Sequence, residues 1–293
     1  MKNLLLCTAI AGIVLCSCNN PRYINSPSAY NASFFRQQGD MKFSGSVSGN
    51  PSAFNREFTS ENDDVDNSVG FDGHAGFALS DHFLIELGGM YRTETDHFND
   101  DDLSNSSTAT RIHYKRSLFH AGLGYYTPMG ATGKNYFNLV VDGGLGKIRS
   151  TDDADPYSAV RHRNFSANLF KLSLNPAFNF FFNDAFRMSF APRFALLRLD
   201  QIQTNYTLNE EQVLGYNTAQ NGFMPLFEPS LHLQAGPRNA KWLKFDLGFN
   251  FATNPLVSNN TDSGTPVVTE SYDLYSRGFL MTFGLSFYPF ERR

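Results

Sequence analysis

The chain of 293 residues carries 28 acidic and 24 basic side chains, a net charge of -4, with 41% hydrophobic, 15% aromatic and only 18% charged residues. It is long enough to bury a sizeable core in one all-β domain, and its mild acidity leaves no basic footprint for nucleic acid. Beyond the amino-terminal stretch no apolar run approaches the length of a membrane-crossing helix, so any insertion into a bilayer must be by strands.

All three cysteines fall within the first eighteen residues. Met1-Lys2-Asn3 is a short basic start and Leu4 to Leu15 an apolar core, the pattern of a secretory signal peptide. Its end, Leu15-Cys16-Ser17-Cys18, resembles the bacterial lipobox, which sets an apolar residue three places before a Cys and a small residue directly before it. That resemblance implies that residues 1–17 are removed and that Cys18 becomes the lipid-modified first residue. Cys7 and Cys16 then leave with the signal, and no intramolecular disulfide remains. Residues 18–40 come next; Asn19 to Asp40 is rich in Asn, Ser, Pro and Tyr without periodicity, and reads as a tether between a lipid anchor and the folded part.

Strand-like alternation begins at Met41, Phe43, Gly45 and Val47, and residues 41–293 are expected to form one β-barrel domain. It is cleanest from Leu243 to Phe251, where Leu243, Phe245, Leu247, Phe249 and Phe251 alternate with Lys244, Asp246, Gly248 and Asn250, giving a strand with two chemically opposite faces. The pattern recurs in Phe186, Met188, Phe190, Phe194 and Leu196, and in Phe279, Met281, Phe283, Leu285 and Phe287. The alternate positions are mostly small or polar. A barrel of about ten strands has room inside for small side chains but not for dozens of Phe rings, so the bulky face is expected to turn outward to lipid. A two-sheet sandwich would instead hold the rings between its layers.

The connections alternate in length. Long polar stretches occupy Gly49 to Asn67, Thr95 to Thr108, Ser150 to Arg163, Gln203 to Gly222 and Pro255 to Tyr275. Short turns fall at Ser80-Asp81-His82, Thr127 to Asn135, Asn183-Asp184-Ala185 and Gly236 to Ala240. Long loops outside and short turns in the periplasm are the habit of outer-membrane barrels, and an even strand count returns both barrel ends to the turn side. The predicted fold is therefore an all-β, antiparallel up-and-down transmembrane β-barrel of about ten strands, located in the outer membrane and anchored through Cys18 at the periplasmic end. Facing pairs must share a face, which registers Phe178 with Phe190, Leu174 with Phe194 and Phe77 with Ile85. Tyr91, Tyr125, Tyr126, Tyr136, Tyr275 and Tyr288 are candidates for interfacial girdles. Pro176, Pro192, Pro225 and Pro229 fall inside predicted strands, where bulges or breaks in pairing must accommodate them.

Several blocks together resemble a poorly characterised family of Bacteroidota-type outer-membrane β-barrel lipoproteins: Asn31-Ala32-Ser33-Phe34-Phe35 leading to Gly39-Asp40, Ala78-Leu79-Ser80-Asp81-His82-Phe83, Ala121-Gly122-Leu123-Gly124-Tyr125-Tyr126, and Phe227-Glu228-Pro229 before Gln234-Ala235-Gly236-Pro237. Thr282, Gly284 and Phe287 are similar to the terminal assembly signal of such barrels, from which Pro289 departs. The resemblance implies fold and location and brings no catalytic residue.

The inward face is expected to offer Lys42, Glu86, Asp142, Lys171, Arg187, Arg193, Glu228, Lys244 and Asp246. Charges of both signs in a narrow lumen should pair, and with His74, His120 and His232 they would form a hydrogen-bonded plug. Enzyme chemistry has two weak footholds. Asp96-His97, with Asp100-Asp101-Asp102 in the same loop, is similar to part of an omptin-type protease rim but lacks a facing Asp-x-His pair; His113 beside Ser117 is the nearest pair for a lipid-modifying site. Acidic clusters at Glu61 to Asp66, Asp100 to Asp102, Asp152 to Asp155 and Glu210-Glu211 lack calcium-loop spacing, though they could hold cations that bridge lipopolysaccharide phosphates. The reading is a structural or loop-mediated binding role without catalysis, cofactor or metal, with outer-membrane lipid and lipopolysaccharide as partners. A small solute channel, a rim enzyme and a soluble ligand-binding sandwich are the alternatives.

Overall fold

The computed structural model describes residues 22–50, 67–97, 109–131, 133–154, 162–206, 208, 211, 222–253 and 274–290. Twelve strands lie among them: β1 (Arg22–Asn25), β2 (Met41–Gly49), β3 (Asn67–Ala78), β4 (Phe83–His97), β5 (Ala109–Pro128), β6 (Asn135–Ala154), β7 (Arg163–Phe181), β8 (Phe186–Thr204), β9 (Met224–Ala235), β10 (Leu243–Phe251), β11 (Leu274–Ser276) and β12 (Phe279–Phe287). Ten of them close a barrel in the order β10-β12-β2-β3-β4-β5-β6-β7-β8-β9, every neighbour antiparallel. β1 and β11 form a separate two-stranded parallel sheet.

Alternation in sequence becomes two surfaces because facing residues share a face across every ladder. Phe245 stands opposite Leu285 and Leu247 opposite Phe283, whereas Lys244 stands opposite Ser286 and Asp246 opposite Gly284. The apolar set points out of the barrel: Leu145 is 69% exposed, Leu123 68%, Phe71 64% and Phe119 61%. The charged set is buried inside. This distribution is inverted relative to a water-soluble protein and is that of a transmembrane β-barrel.

The barrel is lopsided. β2, β10 and β12 have nine residues, close to the 9–11 that cross a bilayer, while β5 to β8 have 19 or 20. The short turns lie level, so the extra length of β5–β8 rises as a wall on the long-loop side. Met41 and Phe287 both lie at the turn end, where their ladders with β3 and β10 terminate.

Phe178–Phe190, Leu174–Phe194 and Phe77–Ile85 are paired as their alternation requires. The prolines need less distortion than bulges. Pro192 stands opposite Pro229 and Pro225 opposite Leu196 with the register unbroken; at Pro176 the β7–β8 ladder is interrupted between the Leu174 and Phe178 pairs but resumes without a shift. The β7–β8 shift lies nearer the loops, between Ser166 and Asn168, beside Gln201 whose φ of 50° absorbs it. Three girdle candidates are corrected: Tyr126, Tyr136 and Tyr288 are buried. Tyr126 shares parity with Gly124, and Tyr136 with Asn138, so alternation itself sends both rings inward. Tyr91 and Tyr125 are exposed, and the Tyr275 side chain lies outside the described residues.

Inside, two apolar clusters cap a polar middle. Toward the loops, Ile24 packs with Ile112, Ile148, Phe165, Leu197 and Leu199. Toward the turns, Phe34 and Phe35 pack with Leu84, Tyr126, Val140 and Phe181. Each cluster draws residues from the segment that precedes β2.

Candidate functional site in the barrel lumen

The stretch expected to be a tether runs through the barrel from residue 22 to residue 40. Its start is fixed near the loops, where Arg277 N–H donates to Asn25 C=O at 2.9 Å and Tyr23 N–H donates to the Tyr114 hydroxyl at 3.3 Å. The chain then descends in order. Ser26 Oγ donates to Glu94, Arg193 donates to Ser28 Oγ and C=O at 3.0 and 2.9 Å, and Ala29 N–H donates to Asp72 at 3.0 Å. Tyr30 N–H donates to Asn250 Oδ1 at 2.9 Å, Ala32 N–H to His232 Nδ1 at 3.1 Å, and Asn138 Nδ2 to Ser33 C=O at 2.9 Å. The path ends at the turns, where Gly39, at φ 85°, donates its N–H to Ala78 C=O at 2.9 Å. Small polar residues are what such a route demands: the segment has no hairpin partner over most of its length, and lumen side chains satisfy its backbone groups instead.

Ion pairs line this path in tiers. Nearest the loops, Arg92, Arg116 and Arg277 meet Asp72, Glu94 and Asp96: Arg92 pairs with Asp72 at 3.2 Å, Arg277 with Glu94 at 3.0 Å and with Asp96, and Arg116 with Glu94. Three cations offset three carboxylates. Beside them Glu228 accepts from Lys171 at 2.7 Å through both oxygens and from Asn25 Nδ2 at 2.9 Å, and it forms an ion pair with Arg193 at 2.9 Å. In the lower half three His–carboxylate pairs follow: His74–Glu86 at 3.7 Å, His120–Asp142 at 4.0 Å and His232–Asp246 at 3.1 Å. Because His232 Nδ1 accepts from Ala32, its Nε2 carries the proton donated to Asp246. Asp246 also accepts from Gln234 at 2.7 Å and Ser286 at 2.5 Å.

The nine charged residues singled out from sequence all occupy the face opposite the apolar belt, yet they form several clusters rather than one network. Lys171, Arg193 and Glu228 join directly. Glu86, Asp142 and Asp246 each take a histidine. Lys42 donates to Ala32 C=O at 2.6 Å and to Asn31, both on the threaded segment. Arg187 lies over the rings of Phe181 and Tyr288, at 5.2 and 5.1 Å, and Lys244 reaches Asp184 C=O at 2.6 Å in a turn. Cys18 and Asp100 to Asp102 lie outside the described residues, as does the His97 side chain. Asp96 turns inward to Arg277 instead of lining an open rim, and His113 contacts Thr95 Oγ1 at 2.9 Å, with Ser117 four residues further along the same strand. Asp152 is buried and accepts from Tyr206 O–H. Among the described residues no group of three or more His, Cys, Asp or Glu side chains is arranged to hold a metal.

Sequence reasoning missed the tier beneath the loops. Arg92, Glu94 and Asp96 share the parity of Glu86 on β4, so alternation carried a signal for them; Arg277 lies between β11 and β12, where there is no alternation to read. A void of about 10 Å³ remains between Ser28, Asn31, Asp72, His74, Met90 and His120. It has room for about one water molecule.

A closed ten-stranded barrel, apolar outside, charged inside and filled by its own amino-terminal segment, defines a plugged transmembrane β-barrel. No protein-family model matches this chain, and no curated protein matches it in sequence. Solved structures similar to it include the translocator domain of the autotransporter NalP from Neisseria meningitidis, at 10% identity and TM-score 0.45, covering 98% of this chain and 94% of that one. The transport unit of the autotransporter AIDA-I from Escherichia coli is similar at 9% identity and TM-score 0.41, over 89% and 93%. The outer membrane protease OmpT from Escherichia coli is similar at 12% identity and TM-score 0.38, over 88% and 99%.

Proposed function

We propose that this chain is an outer-membrane β-barrel lipoprotein that holds binding loops at the cell surface, closed to solutes and without catalysis. The observation that carries the reading is the threaded segment, bonded to the lumen wall from Asn25 at the loop end to Gly39 at the turn end. A channel needs a continuous water path, and here hydrogen bonds, ion pairs and two apolar clusters occupy the route. An enzyme needs an accessible concave site, whereas the lumen carboxylates are spent on partners in the wall and the segment. What remains available is the outer surface: lipid and lipopolysaccharide around the belt, and protein or glycan ligands at the loops.

The path of the segment also changes where the lipid anchor belongs. Both ends of the barrel lie at the turn end, but the chain before β2 climbs back through the lumen, so Arg22 lies at the loop end. Cys18 precedes it by four residues, a reach of at most about 14 Å. The reading therefore moves the acylated terminus from the periplasmic to the outer leaflet.

The test uses the full-length protein in cells. A fatty-acid probe should label the wild type and not Cys18→Ala. A tag placed between Asn20 and Pro21 should be reached by antibody on intact cells, while one at Gly130 in a short turn should require permeabilised cells. An amino-terminal tag reached only after permeabilisation would refute the threaded topology. Planar-bilayer recordings of the purified protein should show no steady single-channel steps.

A further inference from the structure

The outer face of the protruding wall carries three cations that the lumen does not use. Lys115 on β5 stands directly opposite Arg149 on β6, and Lys147 lies two residues below Arg149 on the same face, opposite Ser117. All three cations are exposed. Residues directly opposite across an antiparallel ladder have Cβ atoms about 5 Å apart and diagonal neighbours about 7 Å, and like charges so placed repel. Among the described residues none of the three has a carboxylate partner. Their neighbours are neutral hydrogen-bonding residues: Thr93 beside Lys115, Asn168 beside Lys147 and Ser166 beside Arg149. The nearest outward carboxylate described, Asp200, is one strand further, opposite Asn168 and two residues above Arg198. Three unpaired cations within one side chain's reach make a standing site for an anion.

Their height identifies the anion. Directly below them on the same two strands the belt begins with Phe119 and Leu145, then Leu123 and Val141, all strongly exposed. Two to four residues along a tilted strand amount to a rise of roughly 5–10 Å, which is where the phosphates of a lipid headgroup lie when its acyl chains cover Phe119, Leu123 and Leu145. We propose that Lys115, Lys147 and Arg149 bind the phosphate groups of a phosphorylated glycolipid in the outer leaflet, of the lipopolysaccharide class. Arg149 supplies a planar fork suited to two phosphate oxygens and the lysines supply point charges on flexible stems. The proposal rests on the outer-membrane reading and adds the residues that recognise the lipid. Arg111 is left out because Asp153 stands opposite it in the ladder.

The test is binding in vitro, so it stands apart from localisation in the cell. Native mass spectrometry of the full-length protein in detergent is titrated with bis-phosphorylated lipid A, with dephosphorylated lipid A and with inorganic phosphate. The wild type should retain the bis-phosphorylated lipid, and Lys115→Gln/Lys147→Gln/Arg149→Gln should bind it about a hundredfold less, from roughly fivefold per cation near a lipid surface. Arg238→Gln in a short turn, at the opposite rim, should bind as the wild type does. Arg149→Gln alone is the fallback if the triple variant does not fold, and should lose severalfold. Equal binding of the dephosphorylated lipid, undiminished binding by the folded variants, or displacement of the lipid by millimolar inorganic phosphate would each overturn the proposal. Mislocalised protein with intact lipid A binding would instead count against the outer-membrane reading alone.

Discussion

Glu228 shows how one residue can hold together three parts of the molecule. Fully buried on β9, it receives Lys171 from β7, Arg193 from β8 and Asn25 from the threaded segment. Removing one partner from such a cluster leaves uncompensated charge in a low-dielectric interior, so Glu228→Ala, which strands two cations, should cost about 3–5 kcal/mol. The comparison is Lys241→Ala, which breaks an exposed pair with Asp184 at 2.7 Å and should cost about 0–1 kcal/mol. Urea unfolding in lipid vesicles measures both, and similar midpoints for the two variants would mean that the buried cluster is not what holds the wall to the segment. The two residues of this cluster that face each other in the β8–β9 ladder, Arg193 and Glu228, were legible in the sequence because parity alone assigns a strand residue to a face. Parity fails where there is no strand, and Arg277, which joins Glu94 to Asp96, was invisible for that reason.

At the scale of elements, alternation located the barrel strands and the registers at the β3–β4 and β7–β8 turns because each is a local pattern. The threaded segment has no such pattern. Its partners lie far away in sequence, as with Ser28 and Arg193, 165 positions apart, or Asn25 and Ser276, 251 positions apart, and its Asn, Ser and Pro residues are those of any linker. What distinguishes it from a linker is the set of lumen donors and acceptors waiting for it, which only the closed barrel reveals. Removing residues 22–38 should therefore leave the ten-stranded ladder able to close while emptying its interior. The expected outcome is heat-modifiable, folded protein with a lowered melting temperature and new ion-conducting steps in planar bilayers. A folded deletion variant as silent as the wild type would show that wall side chains alone seal the lumen.

For the molecule as a whole, the decisive question is what solvent surrounds the belt, because an exposed leucine means one thing in water and another in lipid. Leu123 lies five residues from the turn end of β5 and is 68% exposed, close to the middle of an apolar band about 25 Å tall. In water, replacing an exposed side chain usually changes stability by no more than about 0.5 kcal/mol, so a soluble sandwich or barrel would tolerate Leu123→Lys. In a bilayer the same lysine must drag its charge toward an interface, at about 2–4 kcal/mol near the midplane. Gln203, exposed on the upper wall opposite Ser166, provides the internal reference: it rises above the belt, and Gln203→Lys should be nearly neutral in either solvent. Folding the two variants into vesicles and comparing their unfolding free energies with the wild type separates the cases. A penalty at Leu123 and none at Gln203 sets the edge of the membrane between those two heights, while equal tolerance at both positions would return the chain to water.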